Sequence, residues 1–359
     1  MNHPLVALTL ATALSCSAQS LKSEHFDKDP GWESFGNRAP KKQIVAHQDF
    51  GYSPDSDFIG KGKGEIGGRI QRSTVPAYYA EAITPKTLND KLSASGTFTV
   101  PAKSGGGVWF GWFKAAQEGG SGRPVGGLGM DIGFKTGGGH LAVRLTTKQN
   151  RAAGVLVTAL KANKTGGKPR DAVMLQADGT RYTWNLDYDP NGSGGKGQVR
   201  FVVNSNRSKP QDFEGHVFTV DLPVGYKEQG TTFDRFGIQN IMKTGGTVTI
   251  YFNDLTHDGK HEDFSTDPNW VGLNNRANVA ERDQVAVQDF GFEPKSNIAG
   301  GTAGEIGGVF WRTETEPGFY AGRTSPLTLD NKLSAHGKVR MLVGAPDSNM
   351  YIGWFSYHD

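Results

Sequence analysis

The chain has 359 residues, a formal net charge of only +3, 50 glycines and a single cysteine. Glycine stands at roughly twice its usual share of about 7% but is scattered among apolar alternations, which excludes a collagen-type triplet. Seven Trp and 20 Phe supply material for a packed core and exclude disorder. Basic residues form no like-charged block, so neither nucleic acid nor a nucleotide is the expected partner.

Taken in order, the chain opens with a short apolar run, Leu5 to Leu14, then small residues at Cys16-Ser17-Ala18 and Ala18-Gln19-Ser20. Residues 1–20 are predicted to be a signal peptide, although Met1 to Pro4 carries no Lys or Arg. The protein is therefore expected to be secreted, periplasmic or at the cell surface of a bacterium. Lipid anchoring through Cys16 is the lesser alternative, because Ala13-Leu14-Ser15 fits that signal poorly. No later stretch reaches about 18 apolar residues, so no transmembrane segment is expected. Lys22 to Lys42 is polar and turn-rich.

From Gln43 the period is two. Strands are predicted at 43–50, 64–72, 76–83, 91–100, 107–114, 127–134, 139–147, 154–161, 172–177, 180–188, 197–204, 216–221, 233–241 and 246–255, separated by Gly, Pro, Asn and Asp. No segment keeps a helical apolar period over three turns. Strand parity places Leu141, Val143 and Leu145 on one face and His140, Arg144 and Thr146 on the other. Likewise Leu128, Met130, Ile132 and Phe134 oppose Asp131, and 107–114, apolar on both faces, should be a central strand.

The chain also repeats itself. Gln48-Asp49-Phe50-Gly51 and Gly64-Glu65-Ile66-Gly67-Gly68 return as Gln288-Asp289-Phe290-Gly291 and Gly304-Glu305-Ile306-Gly307-Gly308, an offset of 240 residues (305 − 65). Asp29-Pro30-Gly31-Trp32 and Asn37-Arg38 answer Asp267-Pro268-Asn269-Trp270 and Asn275-Arg276. A period this long is a duplicated domain, since solenoid repeats span about 20–50 residues. The reading is a domain over 21–263 and an incomplete second copy over 264–359.

Roughly 14 strands in one repeat, with Thr232-Phe233-Asp234-Arg235-Phe236-Gly237-Ile238 and Val248-Thr249-Ile250-Tyr251-Phe252-Asn253-Asp254-Leu255 as closing strands, resembles the concanavalin A-like lectin/glucanase jelly roll, which includes laminin-G-like domains. The resemblance implies an all-β sandwich of two antiparallel sheets, with polysaccharide bound or cleaved on a concave sheet face, or adhesion alone. It covers 26–263 and, in part, 264–359.

The candidate site follows from parity. Asp131, His140 and Arg144 share the non-core face, and Trp109 is expected there as a stacking platform, with Trp112 in the core. Glu65 is a further ligand candidate, against the plainer reading of a carboxylate that binds turn amides; Tyr79 is a candidate base. The E-x-D-x-E strand of the family's glucanases is absent, but His140 or Tyr79 as base and Arg144 as the cation neutralising a uronate would suit a polysaccharide lyase. Asp187, Asp189 and Asn191 open a calcium-loop pattern, D-x-D-x-N-G, in which Gln198 stands where the closing Glu would be. No other cofactor is implied. Gly62-Lys63-Gly64-Glu65-Ile66-Gly67 matches a dinucleotide fingerprint by chance, because strand rather than helix follows it.

The expected function is carbohydrate binding, with hydrolase or lyase activity and pure adhesion as alternatives. A half jelly roll leaves strand edges open, so a 264–359 fragment alone should aggregate or pack on another chain. A monomeric, cooperatively melting fragment in gel filtration and calorimetry would contradict this.

Overall fold

The protein is described by a computed structural model, over residues 22–102, 104–115, 122–135, 138–147, 152–159, 174–311, 317–344 and 348–357. The signal segment with Cys16, and part of the predicted strands at 154–161 and 172–177, lie outside these residues. The described residues form two compact units, 43–285 and a second made of 22–42 with 286–357.

The 43–285 unit is an all-β sandwich. One sheet contains, in spatial order, β12 (Phe218–Asp221), β11 (Gln198–Ser205), β10 (Arg181–Asp189), β5 (Leu92–Thr99), β14 (Thr247–His257), β3 (Glu65–Gln71) and β2 (Arg38–Ser53), with β15 (Lys260–Glu262) beside β14. The other runs β16 (Val271–Leu273), β4 (Tyr78–Thr87), β13 (Thr232–Asn240), β6 (Gly107–Phe113), β7 (Gly127–Lys135), β8 (Gly138–Thr146) and β9 (Ala152–Leu156). Every pairing within these sheets is antiparallel.

Alternation in sequence becomes alternation in burial. In β10, Tyr182, Trp184, Leu186 and Tyr188 are buried, while Thr183, Asn185, Asp187 and Asp189 are exposed. β6 is buried along its whole length, because β13 and β7 flank it and apolar groups cover both faces. Between the sheets Phe110 lies flat on Phe252, with ring centroids 4.1 Å apart, and meets Trp184 and Phe236 edge-on. This aromatic layer joins the sheets in one continuous core.

The spatial unit does not end where the sequence repeat does. Phe264 and Trp270 are buried in the core of the 43–285 unit, β16 extends its seven-stranded sheet beside β4, and the Asn275 amide donates to the Phe50 carbonyl at 2.5 Å. The boundary drawn at 263/264 therefore separates a sheet from its own edge strand. A sequence repeat fixes a period, but packing decides where one body closes. Lys22 to Lys42, read as turns, also contains β1 (Glu33–Phe35) and the start of β2; the shortness of β1 leaves no period to detect.

In the second unit, β1 pairs with β19 (Phe319–Ala321), and the end of β17 (Arg276–Glu293) pairs with β18 (Glu305–Val309). Leu329 and Val343 stand almost fully exposed beyond them. The repeated glutamine has one structural task. Gln48 accepts from the Gln71 N–H at 2.9 Å and donates to the Gln71 carbonyl at 2.7 Å. Gln288 treats Trp311 in the same way, at 3.1 and 2.8 Å.

Phe110→Ala should lower unfolding free energy by about 3–5 kcal/mol, the cost of a large cavity where neighbouring rings cannot collapse. Urea denaturation of the full chain checks this; a loss below about 1 kcal/mol would mean that the inter-sheet layer is not the main support of the fold.

Candidate functional site

The site lies on the face of the seven-stranded sheet that points away from the shared core. Strand register sets a row across it: Tyr78 opposite Gln239, Gln239 opposite Trp109, Trp109 opposite Asp131 and Asp131 opposite Ala142. His140 and Arg144 flank Ala142 on β8, paired with Gly133 and Gly129. Ala142 carries only a methyl group, so both longer side chains can lean towards Asp131. Gly133 has no side chain because the imidazole of His140 occupies the space that a Cβ would fill.

Asp131 is almost completely buried, and its Oδ2 accepts from two guanidinium groups. Arg144 Nε donates at 2.8 Å, while Arg123 donates from Nε at 3.0 Å and from Nη2 at 2.8 Å. Arg123 comes from the connection between β6 and β7. Arg72, just after β3, adds a further cation: burial lowers its pKa first and Arg123 adds to this, while Asp131 opposes both. His140 is pushed below its ordinary value chiefly by burial, assisted by Lys135, Arg123 and Arg144 and opposed by Asp131. Among the described residues one carboxylate thus sits among several cations and an imidazole biased towards its neutral form. Arg144 leaves about a third of its side chain (35%) exposed. Such an edge can grip a carboxylate or sulfate.

The other sequence candidates take no part in this charged cluster. Trp109 does face away from the main core, but it is fully enclosed by Tyr78, Phe113 and Ile241 in a second apolar cluster, so it is no open platform for a sugar ring. Trp112 is in the core, as expected. Glu65 belongs to the other sheet, where Oε1 accepts from the Ile59 N–H at 2.7 Å; it clamps a turn. Its counterpart Glu305 accepts from the Ser296 hydroxyl and from the Ile298 and Ala299 amides, and these bonds, Ser296 foremost, lower its pKa. Tyr79 is buried against the core, bonded to Asp267, with burial raising its hydroxyl's pKa far above the usual range. Asp189 accepts from the Asn191 N–H at 3.0 Å, capping the hairpin turn, and Asp187 faces Arg200 across the ladder, its pKa raised by burial. Among the described residues no group of three or more His, Cys, Asp or Glu side chains is placed to hold a metal, and no helix is long and apolar enough to cross a membrane.

Arg123 and Arg72 escaped the sequence reading. Arg123 lies in a glycine-rich loop without period, and Arg72 follows a strand of the opposite sheet; only tertiary folding brings them to Asp131.

No protein-family profile matches the chain. No curated protein matches it either. Among solved structures, an alginate lyase from Pseudomonas aeruginosa is 12% identical, with a TM-score of 0.28 over 48% of this chain and 66% of that one. Domains LG4–5 of the mouse laminin α1 chain are 12% identical, with a TM-score of 0.31 over 64% of this chain and 50% of theirs. A family 7 alginate lyase matches at 11% identity and a TM-score of 0.27, over 62% of this chain and 78% of that one.

His140 makes stability depend on pH. Its folded-state pKa is lowered, so below the unfolded value of about 6.5 the unfolded chain binds the extra proton and stability falls as pH drops. His140→Gln should therefore show a smaller loss of Tm than the parent between pH 7.5 and pH 5, values chosen to bracket the ordinary imidazole range of about 6.5. Parallel melting curves across that range would show that His140 does not carry this dependence.

Proposed function

We propose that the protein binds an acidic polysaccharide outside the bacterial cytoplasm, at the outward face that carries Asp131, Arg123, Arg144 and His140. The observation that carries this reading is the excess of cation over anion there among the described residues. Asp131 orients Arg123 and Arg144, and Arg72 and Lys135 add positive charge around it. A neutral sugar gains little from such a site. A uronate or sulfated sugar gains charge-assisted hydrogen bonds, each worth about 1.5–3 kcal/mol. Secretion rests on the apolar run at Leu5 to Leu14. Calcium has no part in this reading.

One observation favours polysaccharide lyase activity at the same place. An imidazole whose pKa is lowered by burial, beside guanidinium groups, pairs a proton acceptor with the cations that would stabilise charge developing on a uronate carboxylate. His140 would take the proton next to the carboxylate, and the glycosidic oxygen would leave with the bond's electrons, forming an unsaturated end.

Binding of the full chain to acidic and neutral polysaccharides, followed by calorimetry at two salt concentrations, separates the readings. Preference for acidic chains is expected, weakening with salt and falling about tenfold or more in Arg144→Ala. Equal binding to neutral chains, or an unchanged affinity in that variant, would overturn it. Unsaturated ends that disappear in His140→Ala would establish the lyase, whereas a protein partner with no glycan bound would point to adhesion.

A further inference from the structure

Each unit is closed by a segment of the same design. In the 43–285 unit the segment is 264–276. The Asn275 amide donates to the Phe50 carbonyl, and the Phe50 N–H donates back to the Asn275 carbonyl at 2.8 Å. Arg276 donates to the Tyr52 carbonyl at 2.5 Å, and the Tyr79 hydroxyl donates to Asp267 at 3.3 Å. Trp270 packs on Tyr79 at 5.9 Å and on Phe264 at 5.6 Å. The Phe264 carbonyl fills the space where a side chain on Gly64 would stand.

In the second unit, 22–38 repeats this contact by contact on residues 289–321. Asn37 donates to the Phe290 carbonyl at 2.6 Å and its carbonyl accepts from the Phe290 N–H at 3.0 Å. Arg38 bonds the Phe292 carbonyl and pairs with Asp289 and Glu293. Tyr320 donates to Asp29 at 3.0 Å, Trp32 packs on Tyr320 at 5.7 Å and on Phe26 at 5.6 Å, and the Phe26 carbonyl fills the Cβ space of Gly304. Even the strand pairing corresponds: Glu33 opposite Ala321 answers Val271 opposite Ala80. The two arms are offset by 238 residues (276 − 38), and their docking residues by 240 (289 − 49) or 241 (320 − 79).

The arms differ in how firmly they are held. Phe264 and Trp270 are buried, whereas Phe26 and Trp32 are only half-buried and Phe35 is exposed. Less apolar area holds the first arm in place. It also continues through β2 into the 43–285 unit, so covalently it reaches the 286–321 body only by way of that whole unit. An identical arm from another molecule would make every one of these contacts, which is the condition for segment exchange. We propose that 22–38 is an exchangeable docking arm whose partner is the 286–321 body of a second copy of this chain, seated by edge-strand addition.

Disulfide trapping tests this in the full chain with Cys16→Ser. Glu33 and Ala321 face each other in antiparallel register, a spacing a disulfide can bridge. Mixing a Glu33→Cys chain with an Ala321→Cys chain under mild oxidant should give a mixed dimer. Its yield should be about tenfold or more above that of Glu33→Cys mixed with Leu329→Cys, because docking raises effective concentration. A chain carrying both Glu33→Cys and Ala321→Cys should close on itself when dilute and link into dimers as concentration rises. Mixed yield no higher than the Leu329 control would overturn exchange. Failure of the doubly substituted chain to close at any dilution would overturn the seating of the arm itself.

Discussion

The stack of Phe110 on Phe252 sets the parity of nearly everything else in the 43–285 unit. Once alternate residues of β6, β7, β8 and β13 turn inward to that aromatic layer, the remaining positions have no choice of face. Met130 and Ile132 point in, so Asp131 points out; Leu141, Val143 and Leu145 point in, so His140 and Arg144 point out. A one-residue slip of β7 would carry a carboxylate into the hydrocarbon layer and remove the counter-ion from two guanidinium groups. The polar cluster is thus a by-product of hydrophobic register, held in place by a free-energy term much larger than its own ion pairs.

This explains which features the sequence made legible. Strand positions, the central placement of β6, the inward faces of β7, β8 and β10, and the outward grouping of Asp131, His140 and Arg144 all depend on a two-residue period. The fate of Trp109 does not. Its face followed from parity, but whether that face met solvent depended on Ile241 and Tyr78, which arrive from other strands and loops. Arg123 and Arg72 were invisible for the same reason. Glu65 shows the opposite case: recurrence of its motif marked it, and the plainer reading of a turn-binding carboxylate describes its geometry.

The repeated motifs gain a physical meaning as well. Phe50 and Phe290 receive the asparagine clasp, Asp49 and Asp289 face the arginine that follows it, and Gly64 and Gly304 leave room for an arm carbonyl. What the two sets of motifs share most visibly is a docking surface together with the segment that fills it.

Gln48 has a quieter consequence. Its side-chain amide presents to Gln71 one donor and one acceptor, the same pair that a neighbouring strand's backbone would present. The ladder between β2 and β3, last paired at Asp49 and Arg69, is thereby completed by a side chain. Beyond that point β2 is free to leave its neighbour without stranding the polar groups of Gln71. A single glutamine therefore acts as a stop signal for strand pairing, and its recurrence at Gln288 writes the same stop into the second unit.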